Sequence, residues 1–406
     1  MTQPRLRVIV VGLGAMGSAA AFQLARRGAT VVGLETFGPA HDRGSSHGES
    51  RIIRKAYFED PAYVPLVLRA YQLWRDLEAS SGQRLLETTG GVMIGLPDGE
   101  MVSGSLQSAL QWDLPHRILT ASELQAEFPV FHPTPDQVGL VEPDAGVLAP
   151  ELAVLSHLRL ATGLGAELHF GERVIGWEER QSSVVVGTET SSYEVDRLVL
   201  TAGAWSQGLL PPGLEMPLQS ERQVMVWFAP TDIARFTAPS CPIFLLERGD
   251  GGQFYGVPTR DGLTAKAARH HGGELTTAGG LRREIEDGDV GKVREGLAEI
   301  VPELALAPLA RAATCLYTNT PDLNFVIGQH PSSERVSVAA GFSGHGFKFS
   351  PVVGEILADL VESGQTTLPI GVFSPARFGP HQSGGNGISG SGGSPTPSAD
   401  ITSPIT

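Results

Sequence analysis

The chain opens on four consecutive apolar residues, Val8 to Val11, that break on the turn Gly12-Leu13-Gly14-Ala15-Met16-Gly17 and pass into a run of small residues. A short apolar run bounded by glycine reads as a strand buried on both faces, and the small-residue run as a helix packed close against it. A second apolar run from Thr30 to Leu34 closes on Glu35, so residues 5 to 37 predict a βαβ unit. Residues 41 to 56 form a polar loop. Over residues 61 to 80, Val64, Leu68, Leu73 and Leu77 recur at helical spacing and predict a helix with one apolar face. Gly90 to Leu96 reads as a strand, residues 121 to 128 as a short helix, and Pro150 to Gly163 as a helix opened by its proline. Leu168 to Ile175, Ser183 to Val186 and Arg197 to Thr201 read as strands, the last followed by the turn Ala202-Gly203-Ala204-Trp205. Between residues 215 and 320, runs such as Gln223 to Phe228 and Gln253 to Pro258 predict an antiparallel sheet. From Val336 the pattern is strand, glycine-rich turn, and a helix from Ser350 to Leu360.

Sequence order and domain membership therefore do not coincide. Residues 5–80, 145–215 and 320–378 are expected to build one discontinuous α/β domain, and residues 81–144 and 216–319 a second. Residues 379–406, rich in Gly, Ser, Pro and Thr, are expected to be a disordered tail.

The opening turn has the context of a dinucleotide site. Gly12 allows the tight turn, Gly14 lets the backbone approach a pyrophosphate, and Gly17 permits close packing of helix on strand. Glu35 follows Gly17 by eighteen residues, close to the spacing at which an acid accepts hydrogen bonds from an adenosine ribose. A carboxylate there repels a ribose phosphate, which leaves NAD or FAD. With 406 residues the chain exceeds the size at which one core stops growing, so two intimately packed domains are expected. A formal charge of -14 argues against a general nucleic-acid binder. The absence of an eighteen-residue apolar run predicts no membrane association, and with no secretory leader in view the expectation is a cytoplasmic protein. Two cysteines, Cys241 and Cys315, make no disulfide framework, and the eleven histidines show no HExxH or CxxC spacing, so no metal is expected.

Three separated segments carry a resemblance: Gly44-Ser45-Ser46-His47-Gly48-Glu49-Ser50-Arg51-Ile52-Ile53-Arg54, Arg311-Ala312-Ala313-Thr314-Cys315-Leu316-Tyr317-Thr318, and Gly341-Phe342-Ser343-Gly344-His345-Gly346-Phe347-Lys348-Phe349-Ser350. Over residues 6 to 378 the chain resembles the family of monomeric sarcosine oxidase and N-methyltryptophan oxidase. The resemblance implies a glutathione-reductase-like FAD-binding fold with an interleaved antiparallel substrate domain, and FAD attached through its 8α carbon to Cys315. It implies a cofactor-binding set of Gly12, Gly14, Met16, Gly17, Glu35, Ser45, His47, Arg51, Val174, Cys315, Gly344, Gly346 and Lys348, with Arg311 in the flavin-facing region. It further implies that Arg54 and Lys348 hold a substrate carboxylate, that Tyr255, Tyr317 and His270 surround the substrate, and that Lys266, on the opposite face of the ring, helps activate oxygen through water.

Read without the resemblance, several of these residues have plainer roles. Cys315 could be a half-buried structural thiol, Arg54 and Lys266 solvated charges, Tyr255 a cross-strand core aromatic and His270 a loop residue beside His271. Lys348, between Phe347 and Phe349, reads as buried, and Cys241 as an inert apolar filler. The reaction implied is oxidation of a carboxylated secondary amine, such as sarcosine or N-methyltryptophan, by a monomer that uses molecular oxygen. Its products are the demethylated amino acid, formaldehyde and hydrogen peroxide. A cyclic imino acid as substrate, or a dehydrogenase with another electron acceptor, stays open, and a scaffold that only binds nucleotide would leave Cys315, Arg54 and Lys348 without a purpose.

Overall fold

The computed structural model describes residues 5–210 and 216–378; the tail expected over 379–406 lies outside the described residues. Arg7–Val11 is the centre of a six-stranded sheet, flanked in parallel by Arg197–Leu200 and Thr30–Glu35. Val336–Ala340 and Glu167–Phe170 extend it on either side, and Val326–Gln329 closes one edge antiparallel. Because side chains alternate along a strand, Val8 and Val10 enter one hydrophobic core while Ile9 and Val11 enter another, as expected of a strand buried on both faces. The first core lies under the helices Ala15–Arg26, Val64–Ser81, Pro150–Gly163 and Ser350–Ser363. Small residues make that packing close: a Cβ on Gly354 would press into the backbone of Ala19.

The second layer is a larger, mainly antiparallel sheet with its own core around Val92, Phe228 and Phe244. Its organising element is Gln219–Phe228. One side of that strand pairs along its whole length with Leu309–Asn319; the other is shared between Ala265–His270 and Glu274–Thr276. Gln253–Val257 and Ile243–Glu247 continue the sheet, and the latter runs parallel to Gly91–Gly95. The polar loop is anchored where Arg51–Ile53 pairs with Gly146–Leu148, which pairs in turn with Leu86–Thr88.

The expected helix over residues 61 to 80 is a single 3-10 turn, Pro61–Tyr63, followed by Val64–Ser81. The Asp60 side chain caps its start, and Gly82, with φ of 68°, ends it. Val64, Leu73 and Leu77 are buried on its inner face and Leu68 is half-buried. The expected strand from Leu168 to Ile175 is two strands. Gly171, at φ of 75°, turns the chain between Glu167–Phe170 in the large parallel sheet and Val174–Glu179 in a three-stranded antiparallel one. Gly171, Glu172 and Arg173 interrupt the apolar pattern and carry the chain from one sheet to the other. Among the described residues no helix is long and apolar enough to cross a membrane.

Candidate active site

A cavity of about 410 Å³ runs between the two sheets, from Gly12, Gly14 and Glu35 at one end to Tyr255, His270, Tyr317 and Lys348 at the other. The glycine turn has the shape inferred from its sequence. Gly12 takes a φ of 85° against the backbone of Thr201 and Ala202, and a Cβ on Gly17 would occupy the place of the Gly12 carbonyl oxygen. A Cβ on Gly14 would meet nothing nearer than the Ser46 hydroxyl at 3.6 Å, so the space over this residue is open to a ligand. Glu35 accepts from Leu13 N at 2.8 Å and Phe37 N at 3.0 Å, with His41 Nε2 at 3.4 Å. Burial works against its charge, but the bonds from His41, Phe37 and Leu13 prevail and hold its carboxyl below the usual range. Met16 and Val174 also line the cavity.

Leu309–Asn319 brings Cys315 and Tyr317 to the same cavity, as expected of alternate residues on a strand. Gln223 is the cross-strand partner of Cys315. Arg51 Nη2 lies 3.7 Å from the Cys315 sulfur and donates to Ser45 O at 2.7 Å, while the Ser45 hydroxyl donates to Leu316 O at 2.6 Å. The cation at the sulfur is therefore Arg51. Arg311, expected in the flavin-facing region, instead stacks on Trp227 at 3.8 Å and pairs with Glu49 on the half-exposed side of the strand, so that expectation is corrected. Cys241 is fully buried in the second core, where burial pushes its thiol up to about 12.

Lys266 does not line the cavity. Its ammonium is buried one layer behind, donating to Gly48 O at 2.9 Å, Ser50 O at 3.1 Å and Ser50 Oγ at 3.2 Å. Arg51 Nη1 donates to the same Ser50 carbonyl at 2.7 Å, so the two cations share an acceptor. Burial first, and then Arg51, hold Lys266 well below the usual lysine range. His47 is also buried behind the wall; its Nε2 has no hydrogen-bond partner, and burial followed by Arg51 lowers its pKa to about 4.

At the far end, Arg54 is buried and held on three sides. It donates to Ala56 O and to Glu59 Oε2, each at 2.6 Å, and packs on the rings of Tyr57 and Phe58 at 4.4 and 4.5 Å. Lys348 Nζ donates to His345 O at 2.7 Å and to the Tyr57 hydroxyl at 3.3 Å. His345 Nε2 lies 3.2 Å from Leu323 O, and since a carbonyl only accepts, Nε2 carries the proton. Nδ1 is then the acceptor for the Tyr57 hydroxyl at 2.6 Å, which completes a chain from Lys348 through Tyr57 to His345. Burial lowers His345 to about 4, and burial together with Arg54 lowers Lys348 to about 7 against the opposing pull of Glu59. His270 Nδ1 sits 3.2 Å from the Tyr317 hydroxyl, and burial raises Tyr255 to about 12. Gly344, at φ of 80°, and Gly346 both line the cavity; a Cβ on the first would collide with the Tyr317 ring and on the second with Phe342.

Sequence reading assigned no role to Glu59, Tyr57 or His345. Glu59 lies five residues beyond Arg54 and could have been suspected as its partner. The Tyr57–His345 contact joins positions 288 residues apart, for which the sequence offers no local signal.

The residues fit FAD: a glycine cradle at one end, a carboxylate beside it, and at the other end a cysteine, two buried cations and the buried Thr318 hydroxyl, which has no partner. Residues 7–360 match the family described as DAO, FAD dependent oxidoreductase. Monomeric sarcosine oxidase of Streptomyces avermitilis is 49% identical over 379 residues, covering 92% of this chain and 98% of the relative. N-methyl-L-tryptophan oxidase of Yersinia pestis is 35% identical over 375 residues, covering 91% and 99%. The structure of NikD, an amino acid oxidase of nikkomycin biosynthesis, superimposes with a TM-score of 0.80 at 23% identity over 92% of this chain and 98% of that one, a likeness of fold.

Arg54 and Glu59 make a buried ion pair whose partners depend on one another. Arg54→Ala alone strands the carboxylate and should lower stability in urea unfolding by about 3 kcal/mol. Arg54→Ala combined with Glu59→Gln should recover most of that loss, and strictly additive losses would show that the pair is not coupled.

Glycine cradle, cysteine strand and paired cations line one cavity, and by the family match and these relatives the chain belongs to the sarcosine oxidase and N-methyltryptophan oxidase family of FAD-dependent amine oxidases.

Proposed function

We propose that the protein oxidises an N-methyl amino acid, with sarcosine and N-methyltryptophan as the leading candidates, and that it works as a monomer. The observation that carries this reading is the convergence of Arg54 and Lys348 on the cavity that Cys315 lines. Two buried cations with one carboxylate, Glu59, between them leave positive charge for an incoming anion. We assign the fold to the glutathione-reductase-like class, with residues 5–80, 145–215 and 320–378 binding FAD and 81–144 and 216–319 forming the substrate side.

Gly12, Gly14, Gly17 and Glu35, with Met16 and Val174, would hold the dinucleotide, and Ser45, Arg51, Cys315, Gly344 and Gly346 would surround the ring, with His47 behind them. Bound there, FAD supplies the two-electron oxidation of the amine and returns the electrons to oxygen, which leaves as hydrogen peroxide. Arg54 and Lys348 fix the carboxylate, and His270, Tyr255 and Tyr317 wall the amine. The amine binds unprotonated and loses a hydride equivalent; water hydrolyses the resulting iminium to formaldehyde and the primary amine. Lys266, anchored to the loop that carries Arg51, is assigned to the side opposite the substrate, where its ammonium, when protonated, stabilises reduced oxygen.

Attachment at Cys315 is tested by mass. Acid-denatured protein should carry one FAD on the peptide that contains Cys315, and Cys315→Ala should lose it; fully active wild type that releases all its flavin on denaturation would refute the attachment.

The carboxylate clamp is tested by anaerobic flavin reduction with N-methyl amino acids, L-pipecolate and their amides. The acids should be favoured by about tenfold or more over the amides, and Arg54→Ala or Lys348→Ala should erase that preference. Equal reduction by acids and amides in the wild type would refute the clamp.

A further inference from the structure

Behind the wall formed by His270 and Tyr317 lies a second polar layer that the reaction as described does not use. Glu221 stands directly across from Tyr317 in the pairing of Gln219–Phe228 with Leu309–Asn319. Its buried carboxylate accepts from Gly273 N at 2.5 Å, Asn319 Nδ2 at 2.6 Å and Gln223 Nε2 at 2.8 Å, with His271 Nδ1 at 3.4 Å. Burial opposes its charge, but the bonds from His271, Gly273 and Asn319 outweigh it and hold the carboxyl below the usual range. A single carboxylate therefore ties together two strands and the turn that follows Ala265–His270.

That turn is held in an unusual conformation. His271 has a φ of 61°, in the left-handed region that histidine enters only occasionally, and Gly272 follows at 72°. A Cβ on Gly273 would collide with the Arg222 carbonyl, so the turn passes close against the Gln219–Phe228 strand. The result places the His271 ring against both members of the wall, with ring centroids 4.2 Å from His270 and 5.3 Å from Tyr317. His270 and Tyr317 are themselves 5.6 Å apart. Only His270 and Tyr317 of this triangle line the cavity; His271 and Glu221 stand behind them. Non-glycine residues held in left-handed backbone are retained where the surrounding structure over-determines them, and here four donors converge on one carboxylate to do so.

We propose that Glu221 and His271 are a positioning pair for amine oxidation: the carboxylate fixes the His271 ring, and that ring sets the spacing and orientation of His270 and Tyr317 around the substrate amine. This rests on the reading of His270 and Tyr317 as the wall of the amine site. Neither Glu221 nor His271 touches the cavity, so their effect is on alignment during the loss of the hydride equivalent and not on capture of the carboxylate, which Arg54 and Lys348 hold from another element.

The test uses flavin-loaded wild type, Glu221→Ala, Glu221→Gln, His271→Asn and the double variant Glu221→Ala with His271→Asn. Asparagine tolerates left-handed backbone, so His271→Asn removes the ring and keeps the turn. Stopped-flow anaerobic reduction should show a limiting rate at least about tenfold lower in Glu221→Ala and His271→Asn, with the dissociation constant of an amine-free carboxylate and the rate of reoxidation by oxygen within about twofold of wild type. The double variant should be no slower than the slower single one, and Glu221→Gln, which keeps an acceptor in place, should be intermediate. Limiting rates equal to wild type in the loaded variants would overturn the proposal, as would proportionate losses in reduction, carboxylate binding and reoxidation together, the pattern of a merely structural role. If Glu221→Ala does not yield loaded protein, His271→Asn and Glu221→Gln decide on the same criteria. A wild type that no N-methyl or cyclic amino acid reduces would instead refute the proposed function itself.

Discussion

The constraint on which this site depends is the burial of several cations in and beside one cleft. Taking an ammonium or guanidinium out of water costs several kcal/mol unless it is met by good acceptors. The chain meets the cost largely with backbone carbonyls. Ser45 and Ser50 serve Arg51, Gly48 and Ser50 serve Lys266, Ala56 serves Arg54, and His345 serves Lys348. Carbonyl dipoles solvate charge without cancelling it. Among the described residues Glu59 is the one carboxylate bonded to this group, and its Oε1 has no hydrogen-bond partner there. The cleft therefore keeps a positive field that an anionic substrate completes, and Lys348, pressed down to about 7, is a member whose charge responds to what binds.

The topology follows from the need to bring those groups together. Arg51 and Arg54 come from the loop after the first βαβ unit, Lys266 from the middle of the second sheet, and Lys348 from the 3-10 turn before the last helix. The paired strands Gln219–Phe228 and Leu309–Asn319 supply the rigid floor that positions Cys315 and Tyr317 against them. A single chain that leaves the first sheet and returns to it is what allows the glycine turn and the His270–Tyr317 wall to line one cavity.

Local features were legible in the sequence. The roles of Gly12 and Gly17 depend on a turn and a helix within a few residues, and the backbone leaves each no room for a Cβ. Cys315 and Tyr317 share a cavity because strand alternation is local too. Features set by distant pairing were not. Arg311 is next to Cys315 in sequence, yet Arg51, 264 positions away, reaches the sulfur. Leu168 to Ile175 reads as one strand, although the residues on either side of Gly171-Glu172-Arg173 pair in different sheets. Glu221 and His271, fifty positions apart, meet only once the second sheet has formed.

The central claim is that the cleft holds Lys348 partly uncharged until a carboxylate arrives, and it is tested most directly by proton uptake on binding an amine-free carboxylate to the flavin-loaded protein. Calorimetric titrations in two buffers of different ionisation enthalpy give the number of protons exchanged. With Lys348 at about 7 in the free protein, most molecules lack that proton at a pH of about 8 and nearly all carry it at about 6. A bound anion raises the affinity of Lys348 for its proton, so binding should take up a substantial fraction of one proton at the higher pH and almost none at the lower, and Lys348→Met should abolish the difference. Binding without proton uptake at the higher pH, or with uptake unchanged in Lys348→Met, would contradict the account.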